Sequence, residues 1–291
     1  MSYLPVIVGL VSAFLWGSSD YLAGLASRKI GEYATNAYVF LFGGTTIFVA
    51  LLFLGSMPHP DITALLYGAA FSIPIFLGAL FYYKAFREGE FAINAPISSS
   101  YPVVIVLGSV LVLGQVLSGL EILGIAITVF GIILISTKFS MLKVRKRALA
   151  AGVGSSLIAM ILLGVPSIFA AVYAAIIGFL LLSFMWRALP AVIAFVGGWA
   201  TRQKLRVPKH RILLFVAVAG LADGVALSVY LYGIYVNAMS LPIISVLSGL
   251  TGAVTVTYGL TLSRERPEWN QWLGILLAIA GTAILSYVSS L

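Results

Sequence analysis

Charge is scarce and cysteine absent in this chain of 291 residues. Only 9% of the residues are charged, against about 25% in a soluble globular protein, so a water-exposed surface cannot be covered. The lack of cysteine excludes disulfides, thiolate metal sites and cysteine nucleophiles. Only two histidines occur, His59 and His210. Both fall between apolar runs, which excludes a buried histidine metal cluster, and no cofactor is expected. No Walker A loop is present and there is no room for a nucleotide-binding domain, so any driving force is a gradient. The N-terminus, Met1-Ser2-Tyr3, has no basic segment, so the first apolar run is expected to be a retained helix rather than a cleaved signal. What remains is apolar: 61% hydrophobic residues and a mean hydropathy of +1.10. These are the marks of an all-α integral membrane protein whose solvent is the lipid bilayer.

A membrane-spanning helix needs about 20 mainly apolar residues. Apolar runs between polar breaks predict ten, at 4–24, 33–54, 62–83, 92–112, 119–137, 149–167, 172–199, 211–234, 241–262 and 270–289. The stretch between Arg147 and Arg187 is uncharged and too long for one span. Gly164-Val165-Pro166-Ser167 is a turn signal within it and predicts two helices. Of the 17 Lys and Arg residues, 16 then fall in the odd-numbered loops. The opposite face has none. By the positive-inside rule those loops are cytoplasmic and both termini lie outside, in a multi-pass protein of the cell membrane. Topology thus accounts for the net charge of +8, and nucleic-acid binding needs no further consideration.

Five spans per half put the halves in opposite orientations. At an offset of 150, Leu123-Gly124-Ile125 meets Leu273-Gly274-Ile275, Gly131 meets Gly281, Ser136 meets Ser286, and Gln115 meets Glu265. Each basic loop in one half corresponds to a loop free of Lys and Arg in the other, as inverted repeats require. The expected division is a first unit at 1–137, a basic linker at 138–148 and a second unit at 149–291. Further local patterns are Phe14-Leu15-Trp16-Gly17-Ser18 in the first span and Arg264-Glu265-Arg266-Pro267 followed by Leu273-Gly274. In these patterns and in its ten spans the chain resembles the drug/metabolite transporter superfamily, in particular its EamA-type members. Leu113-Gly114-Gln115 departs from the family pattern, with Gln where Glu is usual. Arg187 sits where the family often has an arginine early in a second helix. The resemblance implies a secondary transporter: ten transmembrane helices as two inverted five-helix repeats around a central cavity. Some relatives have cytoplasmic termini, opposite to the orientation that the charge count predicts here.

Ionisable groups within spans are the most informative, because one at a helix centre costs about 2.5–3.5 kcal/mol. At 1.5 Å per residue, Arg187 lies roughly 22 Å, Asp223 roughly 18 Å and Asp20 roughly 12 Å from the cytoplasmic basic boundary. Arg187 and Asp223 are therefore at similar depth on consecutive helices. They read either as a structural ion pair or as a cavity site where Arg187 receives a substrate carboxylate or phosphate, with Pro190 loosening the helix beyond. Asp20 shares a face with Trp16. It either pairs with Lys84 or caps the helix, or it binds a substrate amine or exchanges a proton; Asp223 has the same functional options. Asn94, Ser98 and Tyr101 on the fourth span, and Ser245 and Ser248 with Gly249 and Gly252 on the ninth, are small or polar residues at helical spacing. They serve close packing or supply the hydrogen-bonding groups of a cavity. Tyr83 and Tyr230 are candidate aromatic walls. Gly220 and Gly224 have the spacing of a close helix contact, and Glu265 reads as structural.

The expected partner is a small-molecule substrate moved by alternating access, with protons as the candidate coupling ion. An amino acid or similar zwitterion would use both Arg187 and a carboxylate. Cationic drugs, sugars and phosphorylated metabolites are the alternatives within transport. An intramembrane aspartyl protease needs two facing aspartates, and Asp20 and Asp223 are two such residues. Gly220-Leu221-Ala222-Asp223 departs from the Gly-x-Gly-Asp pattern of that class, and the two estimated depths differ. A channel or lipid scramblase is a third class. A ten-span chain contains both halves of its pathway, so a monomer is expected, with a homodimer through glycine-rich faces as the alternative.

Overall fold

A computed structural model of the protein describes residues 3–54, 60–89, 94, 97–137, 139, 152–200, 205, 207–263 and 268–290. Most of the described residues are helical, with no strand among them. In chain order the helices are α1 (Leu4–Ile30), α2 (Glu32–Leu54), α3 (Ile62–Ala70), α4 (Ser72–Glu88), α5 (Tyr101–Leu111), α6 (Gly119–Ser136), α7 (Val153–Ile177), α8 (Phe179–Ala200), α9 (His210–Val236), α10 (Leu241–Ser248), α11 (Thr251–Ser263) and α12 (Trp269–Ser290). Eight stretches are long and apolar enough to cross a membrane, the pairs α3–α4 and α10–α11 each counting as one. Two shorter apolar helices, Tyr101–Leu111 and Gly119–Ile135, fall where the fourth and fifth spans were expected. Apart from Phe139, the basic connector lies outside the described residues, as does Arg264-Glu265-Arg266-Pro267.

Local chemistry sets most helix ends. Asp61 caps α3, accepting the Ala64 amide at 2.6 Å, and Ser118 and Glu121 form a reciprocal capping box at the start of α6. Pro5, Pro102 and Pro242 stand at the first or second positions of α1, α5 and α10, where a missing N–H costs nothing. Two chain reversals use glycine at positive φ: Gly31 at 88° and Gly178 at 85°.

The turn expected at 164–167 is not there. α7 runs through Pro166 to Ile177, and the break comes at Gly178. In a lipid environment an unpaired backbone group is expensive, so a helix that loses one bond at proline is cheaper than an open turn. Gly164 instead serves packing, since a Cβ on it would lie 2.8 Å from Val104 Cβ on α5.

The ends of the spans gather in two groups. At one end Arg87 Nη1 lies 2.5 Å from Glu32 Oε2, Ser155 donates to Glu88 at 3.4 Å and the Tyr33 hydroxyl donates to the Ala194 carbonyl at 2.9 Å. At the other, Gln115 donates to the Ala238 carbonyl at 3.1 Å, Phe179 packs on Tyr232 and Tyr235, and Tyr67 stacks on Tyr173. The first group holds the reversals read above as basic.

Burial follows the solvent. Large apolar side chains such as Phe53, Leu111 and Trp199 are more than three-quarters exposed, as suits a lipid-facing surface, while Arg187, Asp223, Asn36 and Asn94 are buried. Glycines bring backbones together inside. On α2, Gly43 lies against α9: a Cβ on Gly224 would be 2.7 Å from the Gly43 carbonyl, and one on Gly220 2.6 Å from the Val39 carbonyl. Gly220 and Gly224 are thus the close contact their spacing predicted. On α6 and α12, a Cβ on Gly274 would be 2.8 Å from the Gly131 carbonyl, and one on Gly281 2.9 Å from the Gly124 carbonyl. The offset of 150 relates Gly124 to Gly274 and Gly131 to Gly281, so it carries one of these contacts onto the other. The two glycine contacts of this helix pair are thus reciprocal.

Candidate functional site

A cavity of about 130 Å³ lies in the middle of the bundle. α1 contributes Trp16 and Asp20, α4 Tyr82 and Tyr83, α8 Trp186 and Arg187, α9 Asp223 and Tyr230, and Tyr101 and Thr251 begin α5 and α11. Phe40, Ile75, Ala79, Leu163 and Leu227 supply apolar wall, with Ser99 and Ser167 completing the lining.

Arg187 and Asp223 form a two-pronged ion pair. Nε donates to Asp223 Oδ2, and Nη2 donates to Oδ1 at 2.8 Å. Both side chains are nearly inaccessible, at 6% and 8% exposure for the residues. The Trp16 indole N–H donates to the same Oδ1 at 3.0 Å, and the Phe40 ring lies 5.3 Å from the guanidinium carbon. Gly43 makes room for the pair: a Cβ there would be 3.2 Å from Asp223 Oδ2.

Pro190 has a part in this geometry. α8 continues through it to Ala200, but a proline has no N–H to offer the carbonyl four residues back. That carbonyl belongs to Trp186, and Arg187 Nη1 donates to it at 3.1 Å. The proline thus leaves an acceptor that the neighbouring guanidinium satisfies, which holds the side chain's orientation.

Asp20 lines the same cavity with different partners. Its Oδ2 accepts the Tyr82 hydroxyl at 2.8 Å and the Thr251 hydroxyl at 3.3 Å. The expected pairing with Lys84 is not found; Lys84 lies 3.8 Å from Glu88. Nor is Asp20 a cap, since α1 continues to Ile30. Lys84 is one turn from Glu88 on its own helix, and an exposed pair there needs no buried aspartate. Asp20 and Asp223 both face the cavity, but each is committed to other groups rather than sharing a proton as an aspartyl dyad does.

The polar residues expected on the fourth and ninth spans divide. Tyr101 and Tyr230 reach the cavity. Ser248 and Ser245 stand behind them, bonded to the two hydroxyls at 3.0 and 2.8 Å, so these serines orient the wall without forming it. Asn94 is turned away: its Oδ1 accepts from Ser156 of α7 at 2.9 Å, and the helical spacing that aligned it with Tyr101 served packing. Ser98 is buried off the cavity, its Oγ without a hydrogen-bond partner among the described residues. Tyr82 and Thr251 went unrecognised in the sequence. Thr251 is three residues beyond Ser248, a spacing that could have marked it, whereas nothing distinguished Tyr82 from Tyr83.

The site offers one cation, two carboxylates and a ring of aromatic and hydroxyl groups, without a nucleophile–base constellation. Among the described residues no cluster of three or more His, Cys, Asp or Glu side chains could hold a metal. Comparison with known proteins bears on this arrangement. The profile of the EamA-like transporter family matches the chain twice, over residues 4–137 and 147–287. A stretch of 131 residues, 45% of this chain, is 28% identical to the uncharacterized protein MJ1333.1 of Methanocaldococcus jannaschii and covers 95% of it. One solved protein crystal structure superposes with a TM-score of 0.77 at 17% identity, over 98% of each chain. At that identity the likeness shows the fold alone.

Proposed function

The chain belongs to the EamA-like transporter family, and from that premise we propose that it carries a small zwitterion, an amino acid or a close analogue, by alternating access. The Arg187–Asp223 pair at the wall of a cavity carries this reading. A zwitterion has the same two charges as the pair. Its carboxylate takes the place of Asp223 on the guanidinium fork, a geometry suited to carboxylates, and its amine takes the place of Arg187 on Asp223. Every charge remains matched when the pair opens around the substrate. Trp16, Tyr101 and Tyr230 hold the body of the substrate. Asp20 binds the coupling proton, with Tyr82 and Thr251 stabilising its charged form. The proposed scaffold is ten spans in two inverted five-helix repeats, 1–137 and 149–291, joined by a basic linker at 138–148. Support comes from the paired family matches, the two shorter apolar helices and the reciprocal glycine contacts of α6 with α12. The distribution of Lys and Arg supports cytoplasmic odd loops, outer termini and a cell-membrane location. The protein works as a monomer, since one chain contains the whole cavity.

The test is uptake into proteoliposomes of labelled amino acids, sugars and organic cations, with and without a pH gradient. Wild type should show saturable flux of a zwitterion. Arg187→Ala should abolish it, and Asp20→Asn should keep exchange while losing the response to the gradient. Normal transport by a well-folded Arg187→Ala protein would remove the carboxylate role.

A further inference from the structure

We infer that the Arg187–Asp223 pair makes this protein a net carrier rather than an obligate exchanger, because it lets the empty carrier close and return. The inference rests on the zwitterion reading above and concerns the half of the cycle in which no substrate is bound.

A carrier that binds a substrate carboxylate on a buried arginine must do something with that arginine once the substrate has left. An unpaired charge taken out of water is strongly destabilising, so a site holding only the arginine is trapped open until the next anion arrives. That is obligate exchange. Here Arg187 has a carboxylate of its own, on the neighbouring helix, seated on the same Nε and Nη2 fork that a substrate carboxylate would use. The pair is nearly sealed from solvent. The indole of Trp16 holds Oδ1 from a third helix. Under the pair, Gly43 has no side chain to keep α2 away: a Cβ would lie 3.2 Å from Asp223 Oδ2 and 3.6 Å from Arg187 Cδ. Closing the pair therefore draws α8 and α9 together over α2 and produces a compact, charge-matched empty cavity. Each residue stands in for the substrate group that the other binds.

The experiment compares two modes in proteoliposomes of the full-length protein, with a mixture of the common radiolabelled L-amino acids as probe at saturating concentration. Net uptake is read in unloaded vesicles, and exchange in vesicles preloaded with the unlabelled mixture. For wild type the two initial rates should agree within about twofold. For Asp223→Asn, which keeps the shape and the indole acceptor but strands the arginine, the ratio of net uptake to exchange should fall at least tenfold, whatever the absolute exchange rate. Asp223→Glu should restore the ratio to within about threefold of wild type. Wild-type protein that exchanges but shows no net uptake would overturn the inference and leave the zwitterion reading standing. An unchanged ratio in Asp223→Asn would overturn it as well. Wild-type protein without saturable flux in either mode would remove the zwitterion reading and this inference with it. The wild-type ratio decides the matter alone if Asp223→Asn does not fold.

Discussion

Replacing Gly224 with alanine tests whether the α2–α9 contact sets the position of the ion pair. The added Cβ would sit 2.7 Å from the Gly43 carbonyl oxygen, 3.1 Å from its Cα and 3.2 Å from its carbonyl carbon. All three atoms are backbone, which cannot swing aside as a side chain does. Ordinary contact begins at 3.4 Å, so α2 and α9 must separate by about 0.7 Å, the difference between 3.4 and 2.7 Å. α2 is not free to comply, because Gly44 is pressed against Ala188 of α8, with a Cβ there 3.3 Å from the Ala188 amide. Overpacking of this kind costs about 1–3 kcal/mol. Glycine-to-alanine changes in a helix also gain up to about 1 kcal/mol in propensity, which masks part of the cost. Gly259→Ala, inside α11, supplies the correction, since nothing lies within 4 Å of a Cβ there. Both positions are helix-interior and share the propensity gain, so their difference isolates the clash. We expect Gly259→Ala to melt at or above wild type in detergent, and Gly224→Ala to fall below Gly259→Ala by an amount equivalent to about 1–3 kcal/mol, with weakened zwitterion transport. Equal melting temperatures and equal transport would refute the reasoning, because the helices would then not be in backbone contact.

Three further outcomes follow from single residues. Pro190→Ala supplies a backbone N–H to the Trp186 carbonyl in competition with Arg187 Nη1; the protein should melt higher while KM for the zwitterion rises several-fold, measured by thermal unfolding and uptake. Trp16→Phe removes the 3.0 Å bond to Asp223, and a hydrogen bond to a charged group is worth about 1.5–3 kcal/mol. KM should rise about tenfold or more, and an unchanged KM would show that the indole does not hold the aspartate. Ser118→Ala removes half of the capping box on α6 and should cost about 1 kcal/mol in thermal stability without altering substrate affinity, α6 being remote from the cavity.

The parts of this protein legible in its sequence are those that lipid makes expensive. Arg187, Asp223 and Asp20 stood out because a charge within an apolar run needs a reason, and all three line the cavity. Depth counting along the helices brought Arg187 and Asp223 together correctly, since rise per residue is nearly constant in a helix. It separated Asp20 from them, although the cavity is tall enough to reach all three. Small-residue spacing found the Gly220–Gly224 contact but not its partner, Gly43, because a partner on another helix leaves no local periodicity. The same limit hid Tyr82 and Thr251 and placed Asn94 on the wrong wall: which face of a span looks inward depends on the other helices. Gly164 and Pro166 were misread as a turn by a rule learned in water, where an opened backbone is cheaply solvated.

The central claim is that a zwitterion replaces the Arg187–Asp223 pair charge for charge. Its most direct test is competition against uptake of one transported amino acid by three analogues: the parent compound unlabelled, its carboxamide, and its N-acetyl derivative. The parent should compete fully, while each analogue, lacking one of the two charges, should compete at least tenfold more weakly. A carboxamide that competes as well as the parent would mean that Arg187 receives no carboxylate, and the account would be wrong at its centre.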